Sequence, residues 1–157
     1  MPDSFSFAMN VNEVRHMIIR GETDKVRNLL AAGLCADDRD QRGQTMMHLA
    51  CTFGRLDVVD LLSNHGSINM CDNDGVSPID LAAENGHLDI VKFLITRGAD
   101  LTHVSSGGYT VLHRAAFGCD MNVYNYLVEQ GLDPDQPDHF NRSPSHWLQQ
   151  RAPFASE

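Results

Sequence analysis

The chain has 157 residues, 42% of them hydrophobic, which is enough for one domain with a packed core. Its 12 Lys and Arg against 21 Asp and Glu give a formal net charge of -9, which repels nucleic-acid phosphates and anionic lipid. No apolar run approaches the ~20 residues of a membrane span, and residues 1–20 lack the pattern of a secretory signal. We therefore expect neither nucleic acid nor membrane as a partner, and a cytoplasmic or nuclear protein.

The N-terminal part, residues 9–39, predicts a pair of helices. An apolar first helix contains Val14, Met17 and Ile18. The stretch GETDKVRNLLAAG follows and predicts a second helix that ends at Gly33, because glycine is favoured just after a helix C-terminus.

Three further units are predicted over residues 40–71, 72–104 and 105–137. Each opens with a hydroxyl residue suited to cap a helix, namely Thr45, Ser77 and Thr110. A glycine then separates this helix from a second one, whose apolar positions are Val58, Val59, Leu62, Ile90, Val91, Leu94, Val123, Tyr124 and Leu127. Turn residues such as DNDG at 72–75 predict a hairpin finger in front of each helix pair.

The unit is a sequence repeat. The stretch TMMHLACTFGRLDVVDLL from Thr45 recurs as SPIDLAAENGHLDIVKFL, then as TVLHRAAFGCDMNVYNYL, and in part as SPSHWLQQR from Ser143. A period of 33 residues with this wording resembles the ankyrin repeat. The resemblance implies one domain over residues 1–157, an all-α solenoid of stacked helix-turn-helix units with β-hairpin fingers. Residues 138–151 are then a partial repeat that caps the stack.

Two positions depart from the repeat. The segment Ser67–Ile68–Asn69 is one residue shorter than the family's wording, which predicts a tightened finger. Cys119 stands where the family places a glycine between the helices, so the turn of the third repeat is less well defined by its sequence.

The resemblance implies a protein-binding module whose fingers and first helices form a concave binding face. The candidate binding positions are those that the repeat does not need for packing. They are Arg42, Gln44, Phe53, Asn73, Asp74, Val76, Tyr109, Arg114, Phe117, Phe140, Arg142 and Trp147.

Aromatic residues and Arg dominate protein interfaces, so we expect one continuous patch from Phe53 through Tyr109 and Phe117 towards Trp147. Trp147 has a second interpretation, as a seal on the open end of the stack. Aspartates cluster at or near the finger tips, where they suit turns, and together they predict a negative rim for a basic partner. They are Asp37, Asp38, Asp40, Asp72, Asp74, Asp133, Asp135 and Asp138.

Several functions fit such a module. We expect a small adaptor or a regulatory subunit, monomeric on its own or held in a hetero-complex, and an inhibitor or activator of a protein kinase is one form of it. A thiol-dependent enzyme using Cys51 and His48 is an alternative from another class. A third alternative is a substrate of an asparaginyl hydroxylase, modified at Asn69. The sequence contains no catalytic motif, metal-type cysteine cluster or phosphate loop, so no cofactor or metal is expected.

Overall fold

The computed structural model describes residues 11–151, and these contain nine α-helices. The strand structure of the described residues consists of one isolated β-bridge, between Ser105 and Tyr109. The helices are α1 (Val11–Arg20), α2 (Thr23–Ala31), α3 (Met46–Thr52), α4 (Leu56–Ser63), α5 (Pro78–Glu84), α6 (Leu88–Thr96), α7 (Val111–Gly118), α8 (Met121–Glu129) and α9 (Pro144–Arg151). The all-α prediction is confirmed, while residues 9 and 10 of the predicted N-terminal unit lie outside the described residues.

The first helix of each repeat begins at the hydroxyl residue that the sequence indicates. The backbone N–H of Thr45 donates to Nδ1 of His48 at 3.0 Å, and that of Ser77 donates to a carboxylate oxygen of Asp80 at 3.0 Å. A helix start leaves N–H groups without partners, and a side chain three residues later satisfies one of them here. Asp80 therefore does the same work at the helix start as the histidine of the other repeats.

The helices stack in two rows. In one row α1, α3, α5, α7 and α9 pack on each other in order, and in the other row α2, α4, α6 and α8 do so. The helices of the first row are in closer contact with one another than those of the second row. We call the surface of α3, α5, α7 and α9, with the loops in front of them, the inner face.

The core lies between the two rows. The predicted apolar positions of the second helices are all buried, and Leu94 of α6 is fully inaccessible. No single helix pair covers these side chains, because each pair packs against its neighbours on both sides. Burial of apolar surface between adjacent repeats is therefore what holds the stack together.

The fingers are tight turns rather than paired strands. In the second one, Oδ1 of Asp72 accepts hydrogen bonds from the backbone N–H groups of Asp74 and Val76, each at 2.9 Å. Asp40 and Asp138 make the same pair of bonds in their own fingers. The expected strands are almost absent because the aspartate oxygen takes the N–H groups that a strand ladder would use.

Neighbouring fingers are joined through their backbones. The N–H of Asn73 donates to the carbonyl of Arg42 at 2.9 Å, and the N–H of Ser106 donates to the carbonyl of Asp74 at 2.9 Å. A third bond of this kind runs from His139 to Gly107 at 2.9 Å. The fingers consequently form a continuous edge along the inner face.

The shortened segment is bonded to both of its neighbours. The N–H of Ser67 donates to Oδ1 of Asp37 at 2.8 Å. Two residues later the side chain of Asn69 donates to the carbonyl of Gly98 at 3.2 Å and accepts from the N–H of Asp100 at 3.0 Å. The loss of one residue thus leaves the connection between successive repeats intact.

Candidate functional site

Three aromatic side chains lie together on the inner face near its C-terminal end. The ring centroids of Tyr109 and Phe117 are 5.2 Å apart, and those of Phe117 and Trp147 are 4.8 Å apart. Both contacts are edge to face, a geometry that aromatic rings favour. We call these three residues the aromatic cluster. It joins a finger, the end of α7 and the capping helix α9.

Two arginines cover the aromatic cluster. The guanidinium of Arg114 lies 5.5 Å from the ring centroid of Tyr109. That of Arg142 lies 4.2 Å from the ring of Trp147 and 4.8 Å from the ring of Phe140. Cation and ring attract each other in this arrangement, so the arginines and the aromatic rings stabilise one another's positions.

Asp138 holds this arrangement in place through hydrogen bonds. Its side chain is fully inaccessible and accepts hydrogen bonds from the N–H groups of Phe140 and Arg142, from Nε of Arg142 and from Nε1 of Trp147. Burial raises the pKa of Asp138, but the hydrogen bonds outweigh burial and hold that pKa below its ordinary value. Asp138 is thus not part of an exposed rim of aspartates but the buried centre of the last finger.

A polar network lies where α5 meets α7. Arg114 donates to a carboxylate oxygen of Glu84 at 3.3 Å and to the hydroxyl of Ser105 at 3.1 Å, and that hydroxyl donates to the carbonyl of Tyr109 at 3.2 Å. Asp80 is buried close by, and burial raises its pKa although the bonds from Ser77 and the charge of Arg114 oppose the rise. Nε of Arg114 is buried without a hydrogen-bond partner among the described residues. Arg114 is thus tied into the stack as well as facing the rings.

The aromatic patch stops at α5. Phe53 is 43% exposed at the end of α3, but it makes no ring contact with the aromatic cluster within the described part of the chain. Between the two, Glu84 and Asn85 occupy the positions that correspond to Thr52 and Phe53 one repeat earlier. The structure therefore divides the expected continuous patch into a solitary Phe53 and the cluster two repeats away.

Three of the predicted finger residues are exposed. Arg42, Asn73 and Asp74 all lie at the surface, and the Asn73 side chain donates to the carbonyl of Gln41 at 3.0 Å. They line the same edge as the aromatic cluster but lie at the other end of it.

Gln44 and Val76 are engaged in contacts between neighbouring repeats. Nε2 of Gln44 donates to a carboxylate oxygen of Asp72 at 3.2 Å. Val76 is only 7% exposed, and its carbonyl accepts from Nε2 of His48 at 3.0 Å. The expectation that the Val76 side chain is open to a partner is therefore corrected, because it lies under the finger turn.

The Cys51 and His48 side chains are both buried. Cys51 is fully inaccessible, and burial raises the pKa of its thiol. Nδ1 of His48 accepts from the N–H of Thr45, and Nε2 donates to the carbonyl of Val76. Since both ring nitrogens are engaged, the imidazole has none left to take a proton from the thiol. These two residues contribute to packing and to the helix start.

Comparison with known proteins identifies the repeat. Residues 15–105 match the family model of ankyrin repeats in three copies, and residues 107–139 match the model of the single ankyrin repeat. The chain belongs to the ankyrin-repeat family. Ankyrin repeats are generally non-catalytic modules for protein–protein interaction.

Its relatives are larger proteins. The chain is 30% identical over 128 residues to the ankyrin repeat protein nuc-2 of Neurospora crassa, which covers 80% of this chain and 12% of that protein. It is 30% identical to a putative ankyrin repeat protein of Rickettsia felis (82% of this chain, 44% of that one) and 28% identical to the NF-kappa-B inhibitor cactus of Drosophila yakuba (67% and 28%). The chain therefore spans less than half of each relative. Over residues 11–151, no helix has the length and apolar character that crossing a membrane requires.

Proposed function

We propose that this ankyrin-repeat domain acts as a small adaptor or regulatory subunit that holds one protein partner on its inner face, without catalysis of its own. The observation that supports this most directly is the aromatic cluster. Tyr109 and Phe117 are half-buried and do not belong to the core between the helix rows, so part of each ring faces solvent. Large aromatic side chains placed together at a surface are typical of binding sites.

Trp147 supports the proposal from the end of the stack. Its ring packs against the core and also against Phe117, and Arg142 lies over it. Such a ring both closes the last repeat and presents its remaining surface beside Phe117. The two interpretations of Trp147 are thus compatible, and a partner on the cluster would contact a ring that is already held in place.

A regulator of a protein kinase is a narrower form of the same proposal. It uses the same inner face, and it differs from an adaptor only in the identity of the protein that is bound. The NF-kappa-B inhibitor among the relatives shows by its name that the repeat also occurs in a regulatory protein.

Asn69 carries a separate proposal, that an asparaginyl hydroxylase modifies it. The residue is exposed, which favours access. However, its side-chain amide is bonded to Gly98 and Asp100, so the loop must open before an enzyme can bind an extended segment. A mass increase of one oxygen after incubation with such an enzyme supports this proposal, and an unchanged mass rejects it.

The main proposal is tested by comparing variants in a capture experiment. Tagged wild-type protein, Phe117→Ala and Lys92→Ala are incubated with native extract, and the bound proteins are quantified by mass spectrometry. Lys92 is the control because it is exposed on α6, in the row opposite the inner face. A true partner is retained by wild type and by Lys92→Ala and is reduced more than about tenfold by Phe117→Ala. Proteins that bind Phe117→Ala as well as they bind the wild type contradict the proposal. Capture of kinase subunits favours its narrower form.

A further inference from the structure

The C-terminal end of the inner face differs in charge from the rest of the molecule. Three arginines, Arg114, Arg142 and Arg151, surround the aromatic cluster, and two carboxylates, Glu84 and Asp138, lie beside them. The whole chain carries a formal charge of -9. A locally cationic site on an acidic protein attracts negative ligands to one place and repels them elsewhere.

Each of the two carboxylates pairs with one arginine. The Asp138 side chain is inaccessible, pairs with Arg142 at 3.2 Å, and has its oxygens taken up by four donors within the last finger and α9. Glu84 pairs with Arg114 at 3.3 Å. Three arginines and two carboxylates leave one positive charge uncompensated, and it belongs to the exposed Arg151.

Arg151 has no carboxylate partner among the described residues. Its guanidinium donates to the carbonyl of Phe117 and to Sγ of Cys119, both at the C-terminus of α7. These bonds place the cation next to Phe117 but use only one of its nitrogens. The remaining N–H groups are exposed together with the side chain.

Arg142 is held in a position that suits a second carboxylate. Its guanidinium stacks on the rings of Trp147 and Phe140, while Nε is bonded to Asp138 and one terminal nitrogen to the hydroxyl of Tyr109 at 3.3 Å. The other terminal nitrogen makes no bond with the described residues, and the side chain is 30% exposed. A stacked guanidinium keeps its edge available for charged hydrogen bonds and loses little entropy on binding.

We propose that this end of the inner face binds an acidic segment of the partner protein. An apolar side chain of the segment lies on the aromatic cluster and the exposed Phe140, and its neighbouring carboxylates meet Arg142 and Arg151. Asp74, in the preceding finger, repels the same segment and so favours its position at the C-terminal end. This inference rests on the proposed function and reverses the sequence-based expectation of a basic partner, since the aspartates of that rim include the buried Asp138.

The fluorescence of Trp147, the single Trp of the sequence, reports on binding directly. The full chain is titrated with three peptides that lack Trp and Tyr, of sequence EEFLEE, QQFLQQ and KKFLKK. We expect EEFLEE to change the Trp147 emission and to bind at least about tenfold more tightly than QQFLQQ, with an affinity that falls as salt is added. We expect no saturable binding of KKFLKK.

Two arginine variants and one matched control test which positive charges contribute to the binding of EEFLEE. Arg151→Gln should weaken EEFLEE several-fold and leave QQFLQQ unchanged, because Arg151 is exposed at the site. Arg142→Gln should act in the same direction, and its folding is checked by circular dichroism because Arg142 also contacts Tyr109 and Asp138. Arg97→Gln is the control: Arg97 also lies over a ring and pairs with an aspartate, but it belongs to the end of α6 in the other row.

The outcomes separate this inference from the proposed function. Equal binding of EEFLEE and QQFLQQ, tighter binding of KKFLKK, or no binding of EEFLEE each overturns the acidic-segment proposal. Should captured partners still depend on Phe117 in those cases, the binding face stands without its charge preference. Self-association that Arg151→Gln abolishes would identify a second copy as the occupant and would also overturn the proposal.

Discussion

Cys119 adopts a left-handed backbone conformation, with φ 59°, at the turn between α7 and α8. The corresponding residues of the two preceding repeats are Gly54 and Gly86, with φ 70° and 75°. The side chain has therefore changed while the backbone geometry of the turn is retained. A residue with a Cβ is strained in this conformation, whereas glycine is not.

Replacement of Cys119 by glycine should stabilise the protein. The left-handed conformation costs an ordinary residue about 1–2 kcal/mol, and the larger freedom of glycine in the unfolded chain offsets about 0.5–1 kcal/mol of this. We expect a net gain of about 0.5–1 kcal/mol in the free energy of unfolding, measured by urea denaturation. An unchanged or lower stability would show that the contact between Cys119 and Arg151 outweighs the strain.

The adjacent glycine is the matched control for this experiment. A Cβ at Gly118 would overlap the backbone carbonyl oxygen of Glu84, on the neighbouring helix α5. Gly118→Ala should therefore destabilise the protein by about 1–3 kcal/mol, as overpacking does. Both adjacent positions thus favour glycine, one because of its backbone torsion and the other because of the close approach of α5.

Single residues were predictable where their role is local. Thr45 and Ser77 were recognisable as caps because a helix start requires an acceptor in any context. The buried role of Asp138 was harder to see, because an aspartate near a turn is usually solvated. Its signal was nevertheless in the sequence: Asp40, Asp72, Ser105 and Asp138 recur at the period of the repeat.

The interface between the second and third repeats contains three linked departures from the repeat. Asp80 stands where the other repeats have histidine, Ser105 where they have aspartate, and Arg114 where they have Leu49 and Leu81. In the structure Arg114 donates to Ser105, and its charge opposes the effect of burial on the pKa of Asp80. Asp80 and Arg114 are each unfavourable alone, since each places a charge in a buried or half-buried site, but their opposite charges compensate one another, and Ser105 accepts a hydrogen bond from Arg114.

A double-mutant cycle measures this compensation. Arg114→Leu removes the positive charge that opposes the effect of burial on Asp80, and Asp80→His removes a negative charge near Arg114, so each should lower the free energy of unfolding by about 1–3 kcal/mol. The double variant recreates the combination at the preceding interface between repeats, His48 with Leu81, and should lose less than the sum of the two by about 0.5–3 kcal/mol. Additive losses would mean that the two residues do not interact.

The positions of the helices were easier to predict from the sequence than the conformation of the fingers. Apolar residues at helical spacing, such as Ile90, Val91 and Leu94, must face a core, and the structure buries all three. The finger conformation depends instead on competition for backbone N–H groups. The Asp72 carboxylate accepts the hydrogen bonds from these N–H groups. Turn signals in the sequence alone do not distinguish such a turn from a short hairpin.

Stacking of the repeats determines where the aromatic cluster can exist. Tyr109 lies in one repeat, Trp147 in the next, and their rings meet through Phe117 only because α9 packs on α7. The sequence places these residues at three different positions of the repeat that packing leaves free, but it does not show that α5 interrupts the row towards Phe53. That interruption depends on Glu84, whose side chain turns to Arg114. The charge preference of the site likewise depends on pairings between repeats.

The capping helix should unfold before the rest of the molecule. Pro144 is the buried residue of α9, and the helix packs on one neighbour, α7, whereas the central helices have neighbours on both sides. Terminal elements of a solenoid therefore open at a lower free energy than the middle. Since Trp147 lies on α9, urea unfolding followed by its fluorescence should have a lower midpoint than unfolding followed by far-UV circular dichroism, which is dominated by the other helices.

A relocated probe provides the control. In the double variant Trp147→Phe with Phe93→Trp, the tryptophan reports on α6 in the middle of the stack, and its transition should coincide with that of circular dichroism. Coincident transitions in the wild type would instead show that α9 belongs to the same cooperative unit as α7. The distinction bears on binding, because the aromatic cluster loses Trp147, one of its three rings, when α9 detaches. A ligand at the cluster should therefore raise the Trp147 midpoint more than the circular dichroism midpoint.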